Sequence, residues 1–82
     1  MVTVLRLRSF RIVIYSNDHP PPHVHAIGPE CEAKVALGEH GEHPRLVANH
    51  GLTRAELEMV LTEIGEEVEL LRQLWREIHG DA

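Results

Sequence analysis

The apolar residues of this chain change their spacing once, near residue 50, and that change limits the folds open to it. Before it, Phe10, Ile12 and Ile14 alternate with Arg11, Val13 and Tyr15, and Ala33, Val35 and Leu37 stand opposite Glu32 and Lys34. A period of two marks a strand with one strongly buried face. After it, Leu57, Leu61, Ile64, Val68, Leu71, Trp75 and Ile78 recur at intervals of four and three, which is a helical stripe of heptad type. A chain of 82 residues makes one domain, and no linker separates the halves. The expected architecture is therefore α+β: a small, mostly antiparallel sheet of four to five strands in residues 1–50, followed by a C-terminal helix or helix pair in residues 53–79 packed on it.

Five segments carry the strand signal: Val2–Leu7, Phe10–Tyr15, His23–Ile27, Glu32–Leu37 and Arg45–Asn49. The first connection falls at Arg8–Ser9, although neither is the Gly or Asn that a tight hairpin prefers. Gly38-Glu39-His40-Gly41-Glu42-His43, a doubled triplet with two glycines, reads as a hairpin connection. Pro20, Pro21 and Pro22 make the segment before His23 stiff and extended. None of these connections is long enough for a crossover helix, so antiparallel pairing is expected.

Thr53 and Glu56 fit a capping box, with Leu52 and Leu57 placed as a hydrophobic staple. Because the stripe keeps its phase across Gly65, one helix from Arg54 to His79 is favoured, with two helices hinged at Gly65 as the alternative. Gly80 sits where a C-cap glycine belongs. A single helix of that length would run to roughly 39 Å, longer than a typical strand. Part of its stripe would overhang the sheet, which points to a homodimer or a small partner protein held through the C-terminal helix. The plainer alternative is that the stripe is core.

The formal charge of −5 lies wholly in residues 51–82, which hold three Arg and eight acids, while residues 1–50 hold five of each sign. That balance disfavours a broad nucleic-acid-binding face without excluding a local one. Cys31 is the single cysteine, so no internal disulfide forms, and the N-terminus lacks the pattern of a secretion signal. A cytoplasmic protein without a membrane span is the expectation. A domain this short buries only about 60% of its unfolded surface, so self-association or a bound metal is an expected source of added stability.

The chemistry concentrates in one segment. His23 and His25 are two apart in a strand, so their rings leave the same face with Cα atoms roughly 6.6 Å apart. His19 lies four residues earlier across the prolines, with Asp18 beside it to orient an imidazole. His19, His23 and His25 are candidate ligands of a divalent metal such as zinc, in a catalytic-type site with an open position. His23 and His25 are equally candidates for metal-free cleavage of RNA phosphodiesters as base and acid, with His19 and Asp18 orienting them. Lys34 or Arg45 would balance the phosphate charge if the fold brings either close. Each residue also has an architectural alternative: a strand His bonded to backbone or carboxylate, and an Asp18 that only shapes a turn. His40 and His43 read as solvated hairpin residues, His79 as a cation at a helix C-terminus, and Arg6, Arg8 and Arg11 as a solvated edge.

The run Tyr15-Ser16-Asn17-Asp18-His19-Pro20-Pro21-Pro22-His23-Val24-His25-Ala26 resembles the hallmark segment of the small bacterial family catalogued as domain of unknown function 4160. The similarity extends to the opening Val-Leu-Arg strand, to Glu32-Ala33-Lys34, to Asn49-His50-Gly51-Leu52 and to the Glu-rich tail. It departs at Arg8-Ser9, where family members often carry glycines. The resemblance implies no settled activity. It implies membership in compact two-gene modules comparable to toxin–antitoxin pairs, and singles out Asp18, His19, His23 and His25.

Overall fold

The computed structural model describes residues 1–80. Strands β1 (Val2–Leu7), β2 (Phe10–Ile14), β3 (His23–Ile27), β4 (Glu32–Ala36) and β5 (Arg45–His50) precede helices α1 (Arg54–Glu66) and α2 (Val68–His79). The sheet is an antiparallel meander in the order β1-β2-β3-β4-β5, so each short connection joins neighbours, as the α+β expectation requires. Arg8 takes a left-handed φ of 48° in the first turn, the conformation that a glycine would have adopted more easily.

One face of the sheet is the core. Ile12 and Ile14 of β2, Val24 and Ala26 of β3, and Ala33 and Val35 of β4 are fully buried with Val60, Ile64, Leu71 and Trp75 of the helices. The register pairs Ile12 with Ala26 and Val24 with Val35, so His23, His25, Lys34 and Ala36 belong to the opposite face. Both edge strands carry irregularities, at Thr3/Leu5 in β1 and opposite Lys34/Val35 in β5, which twist the free edges.

The helix start is as expected: Thr53 Oγ1 accepts from Glu56 N–H, and the Glu56 carboxylate accepts from Thr53 N–H. Just before it, the Asn49 amide bridges both backbone groups of Leu52 around Gly51, whose φ of 96° disfavours any side chain. The single long helix is corrected. The helix breaks at Glu67, two residues after Gly65, where Glu67 N–H donates to Ile64 O in a tightened last turn. A straight helix of roughly 39 Å would exceed the 35 Å longest dimension of the molecule, and the break lets both halves reach strands of only five or six residues. The expected overhang therefore does not arise: Ile64, Leu71 and Trp75 are buried, and Leu57, Leu61, Val68 and Ile78 are half-buried against the same core.

Among the described residues, Arg72 is the one buried side chain with a permanent charge. Its Nε donates to Gly38 O, its Nη2 to Leu37 O and Glu42 O, and its Nη1 pairs with Glu69. The guanidinium thus ties α2 to the β4–β5 connection, and every donor that reaches this hairpin finds a carbonyl. Arg72→Ala leaves three carbonyls without their partner and is expected to cost about 3 kcal/mol of unfolding free energy, with Arg72→Lys restoring little of it. Urea unfolding measures this, and a loss below about 1 kcal/mol contradicts the role.

Candidate functional site

Residues 15–22 leave β2, pass the last turn of α2 at Tyr15 and return as β3. The segment is held at both ends. Asp18 N–H donates to Tyr15 O at 3.1 Å while Tyr15 N–H donates back to Asp18 Oδ2 at 3.2 Å, closing a tight turn. At the other end Leu37 N–H donates to Pro22 O at 2.9 Å, extending the β3–β4 ladder into the prolines. The Pro20–Pro21 bond is cis.

This path lowers Asp18 onto the two strand histidines. Its Oδ2 lies 3.4 Å from His23 Nε2 and 3.3 Å from His25 Nε2. The side chains are 16%, 7% and 13% exposed, so the three polar groups meet largely out of water. The outer nitrogens are engaged as well: His23 Nδ1 donates to Pro21 O at 2.9 Å, and His25 Nδ1 faces Glu32 Oε2 at 3.2 Å. Burial by itself pushes the Asp18 carboxyl up. The Tyr15 N–H, the charges of His23 and His25 and the His25 hydrogen bond outweigh it and hold Asp18 below its ordinary value.

An aromatic chain backs the centre. Tyr15 meets the His25 ring edge-on with centroids 4.8 Å apart, His25 and His23 are 5.1 Å apart, and His23 lies 5.1 Å from Trp75. Trp75 in turn stacks on His79 at 3.7 Å. His79 reaches back to the Asp18 turn: its Nε2 is 3.1 Å from Tyr15 O and its Nδ1 3.1 Å from Trp75 O. Both contacts are hydrogen bonds only when the ring carries a proton on each nitrogen.

The expected ligand set His19, His23 and His25 is not the one brought together. Asp18 takes the third place beside His23 and His25, with ligand atoms all within 4.8 Å, while exposed His19 lies on the rim of an adjoining pocket. The physical reason is the Tyr15–Asp18 turn, which directs the Asp18 carboxylate inward. The pocket, of about 400 Å³, is bounded by Asp18, His19 and His23 on one side and by Lys34, Arg45 and Val47 on the other, with Ala36 between them. Both cations that the sequence offered for a phosphate therefore line it. Sequence reading passed over Glu32, Tyr15, Trp75 and the inward role of His79. The only signals for these were the i, i+2 alternation of Glu32 with Lys34 and the four-residue spacing of Trp75 and His79. His40 pairs with Glu69 at the surface, and Cys31 lies outside the cluster.

A five-stranded meander backed by two helices, with an aspartate and two strand histidines gathered on its other face, defines a class of small α+β proteins built around one polar centre. The chain belongs to the family described as Domain of unknown function (DUF4160), whose model matches residues 9–76 and so takes in Asp18, His23, His25 and the pocket beside them. No curated protein and no solved structure gives a significant match. Among the described residues, no helix is long and apolar enough to cross a membrane.

The depressed Asp18 value has a consequence for stability. Because the folded-state value lies below the ordinary 3.8, the contribution is fully present above that pH and is lost as the pH falls through the lower, folded value. Asp18→Asn is expected to unfold more readily than the parent near neutral pH and to approach it as the pH falls through the lowered folded-state value. Urea unfolding across the pH range checks this; a gap that stays constant as the pH is lowered through the acid range contradicts it.

Proposed function

We propose that the protein binds a divalent transition metal of the zinc type through Asp18 Oδ2, His23 Nε2 and His25 Nε2. The approach of the one carboxylate oxygen to both ring nitrogens carries the reading, with the three atoms within 4.8 Å of one another. Two ligands bonded at about 2.0–2.1 Å across a tetrahedral angle stand roughly 3.3–3.4 Å apart, and the two N···O distances are 3.3 and 3.4 Å. A charge-assisted hydrogen bond would draw the same atoms to about 2.7–2.9 Å.

Proton counting supports the same conclusion. All four ring nitrogens of His23 and His25 face oxygen acceptors, and two neutral imidazoles supply only two N–H groups. In neutral rings with the Nδ1 protons directed to Pro21 O and Glu32, both Nε2 lone pairs would point at the Asp18 carboxylate, an arrangement that a shared cation relieves, as a second proton on each ring also would. Imidazole ligands whose other N–H is held by a carbonyl and a carboxylate are the usual outer support of a metal-bound histidine. The donor set favours zinc, cobalt or nickel over magnesium or calcium. Three protein ligands leave a coordination position for water or a substrate.

Calorimetric titration with zinc tests this. His25→Ala and Asp18→Ala are expected to weaken binding at least about a hundredfold, Glu32→Gln about tenfold, and His19→Ala by less than about threefold. Equal zinc affinity in the His25→Ala variant overturns the assignment.

A second reading uses the same residues without a metal, and the 5.1 Å approach of the His23 and His25 rings favours it. One ring takes the proton from a ribose 2′-hydroxyl, the 2′-oxygen attacks phosphorus, and the other ring protonates the departing 5′-oxygen. This would make the chain the toxin-like member of a two-gene module. RNA cleavage that persists in chelator and is lost in His23→Ala is its expected result; intact RNA under all conditions sinks it.

A further inference from the structure

The open coordination position and the pocket beside it belong to one site, and the pocket has a chemistry of its own. Across the sheet, the register sets His23 beside Ala36 and Ala36 beside Arg45, and sets His25 beside Lys34 and Lys34 beside Ala48. Neighbouring strands lie about 4.8 Å apart, so Lys34 is one strand from the histidines and Arg45 is two. Where bulkier residues would fill the face, Ala36 and Ala48 leave it low. The result is a depression with the Asp18–His23 edge on one side and two cations on the other.

Neither cation has a carboxylate partner among the described residues; the Lys and Arg ion pairs found are Arg54–Glu58 and Arg72–Glu69. In a chain of net charge −5, with acids outnumbering bases thirteen to eight, two unpaired cations in one pocket are an uneven placement. The excess of acids lies in the helical half of the sequence. With a divalent cation in the centre, its charge and those of Lys34 and Arg45 would outnumber the carboxylates of Asp18 and Glu32. Its volume, about 400 Å³, lies in the range that encloses a small ligand.

We infer that this pocket takes a phosphate ester, with one phosphoryl oxygen completing the coordination of the metal and the others held by Lys34 and Arg45. The arrangement suits a tetrahedral dianion or diester better than a planar carboxylate, because three separate positive centres surround the ligand from different strands. Val47, 51% exposed on the pocket wall, offers an apolar surface to whatever group the phosphate carries. A nucleotide and the backbone of a nucleic acid present this same chemistry. The inference rests on the metal reading of the Asp18–His23–His25 centre, and adds the class of ligand.

The test uses the full chain loaded with cobalt, whose visible spectrum reports a change of coordination, alongside calorimetry on the zinc-loaded protein. Inorganic phosphate, adenosine monophosphate and a short single-stranded RNA are titrated in separate arms. Phosphate is expected to shift the cobalt spectrum and to bind at sub-millimolar concentration. Arg45→Glu and the double variant Lys34→Ala/Arg45→Ala are expected to weaken it at least tenfold while changing zinc affinity less than threefold. Arg45 is exposed on an edge strand, so Arg45→Glu keeps the test independent of any folding defect at half-buried Lys34. Tighter binding of the nucleotide than of phosphate, or of RNA than of either, identifies the source of the phosphate. Metal binding without binding of any of the three probes overturns the phosphate pocket and leaves the metal centre standing, as does probe binding that survives in both variants. A protein that takes no metal overturns the metal centre and this inference with it.

Discussion

The structure depends on β3 lying between β2 and β4. Antiparallel pairing on both sides forces strict alternation along His23–Ile27, and the burial of Val24 and Ala26 under the helices leaves no freedom in where His23 and His25 go. Each buried aliphatic side chain contributes about 1.5–3 kcal/mol, so a one-residue slip that exchanged the faces would lose several such contributions at once and bury imidazoles in their place. The positions of the two rings are thus enforced by hydrophobic burial on the far side of the sheet. Only the carboxylate needs a separate device, and the Tyr15–Asp18 turn supplies it.

The helical layer also reaches the site. Breaking the helix at Glu67 brings the second half back over the sheet, and its last turn places Trp75 against His23 and His79 against Tyr15 O. Arg72, one turn earlier, holds the hairpin that leads into β5 and therefore into Arg45. Residues spread over α2 thus support both walls of the pocket. This coupling means that losses from α2 substitutions register as stability, and Asp18 contributes to stability as well through its contacts with Tyr15, His23 and His25.

Much of this was legible in the chain before any coordinates. The strand alternation, the capping box at Thr53, the C-terminal Gly80 and the shared face of His23 and His25 all follow from local periodicity, and all are present. The helix break was assigned less well. An unbroken 4-3 stripe is compatible with one helix or with two that repeat the same phase, and the choice belongs to the length of the sheet beneath. Which of Asp18 and His19 neighbours the two strand histidines is hidden in the sequence for a similar reason. His19 and Asp18 are adjacent in sequence, and which of them faces the histidines is decided by hydrogen bonds to Tyr15 that no spacing rule encodes. Glu32 looked like the polar side of a strand, and only its register opposite Ile27, diagonal to His25, makes it a partner.

Local order in the chain, the periods of two and of three to four and the caps that end them, was enough to specify the elements, their neighbours and the side of the sheet that carries imidazoles, because those features are settled by steric and burial preferences within a few residues. The Asp18 carboxylate on two ring nitrogens, the cations of β4 and β5 across from it, and the aromatic and hydrogen-bonded support from α2 came only with the folded arrangement. These contacts join residues from 5 to 64 positions apart, and such distances close only when one apolar core packs the helices against the sheet.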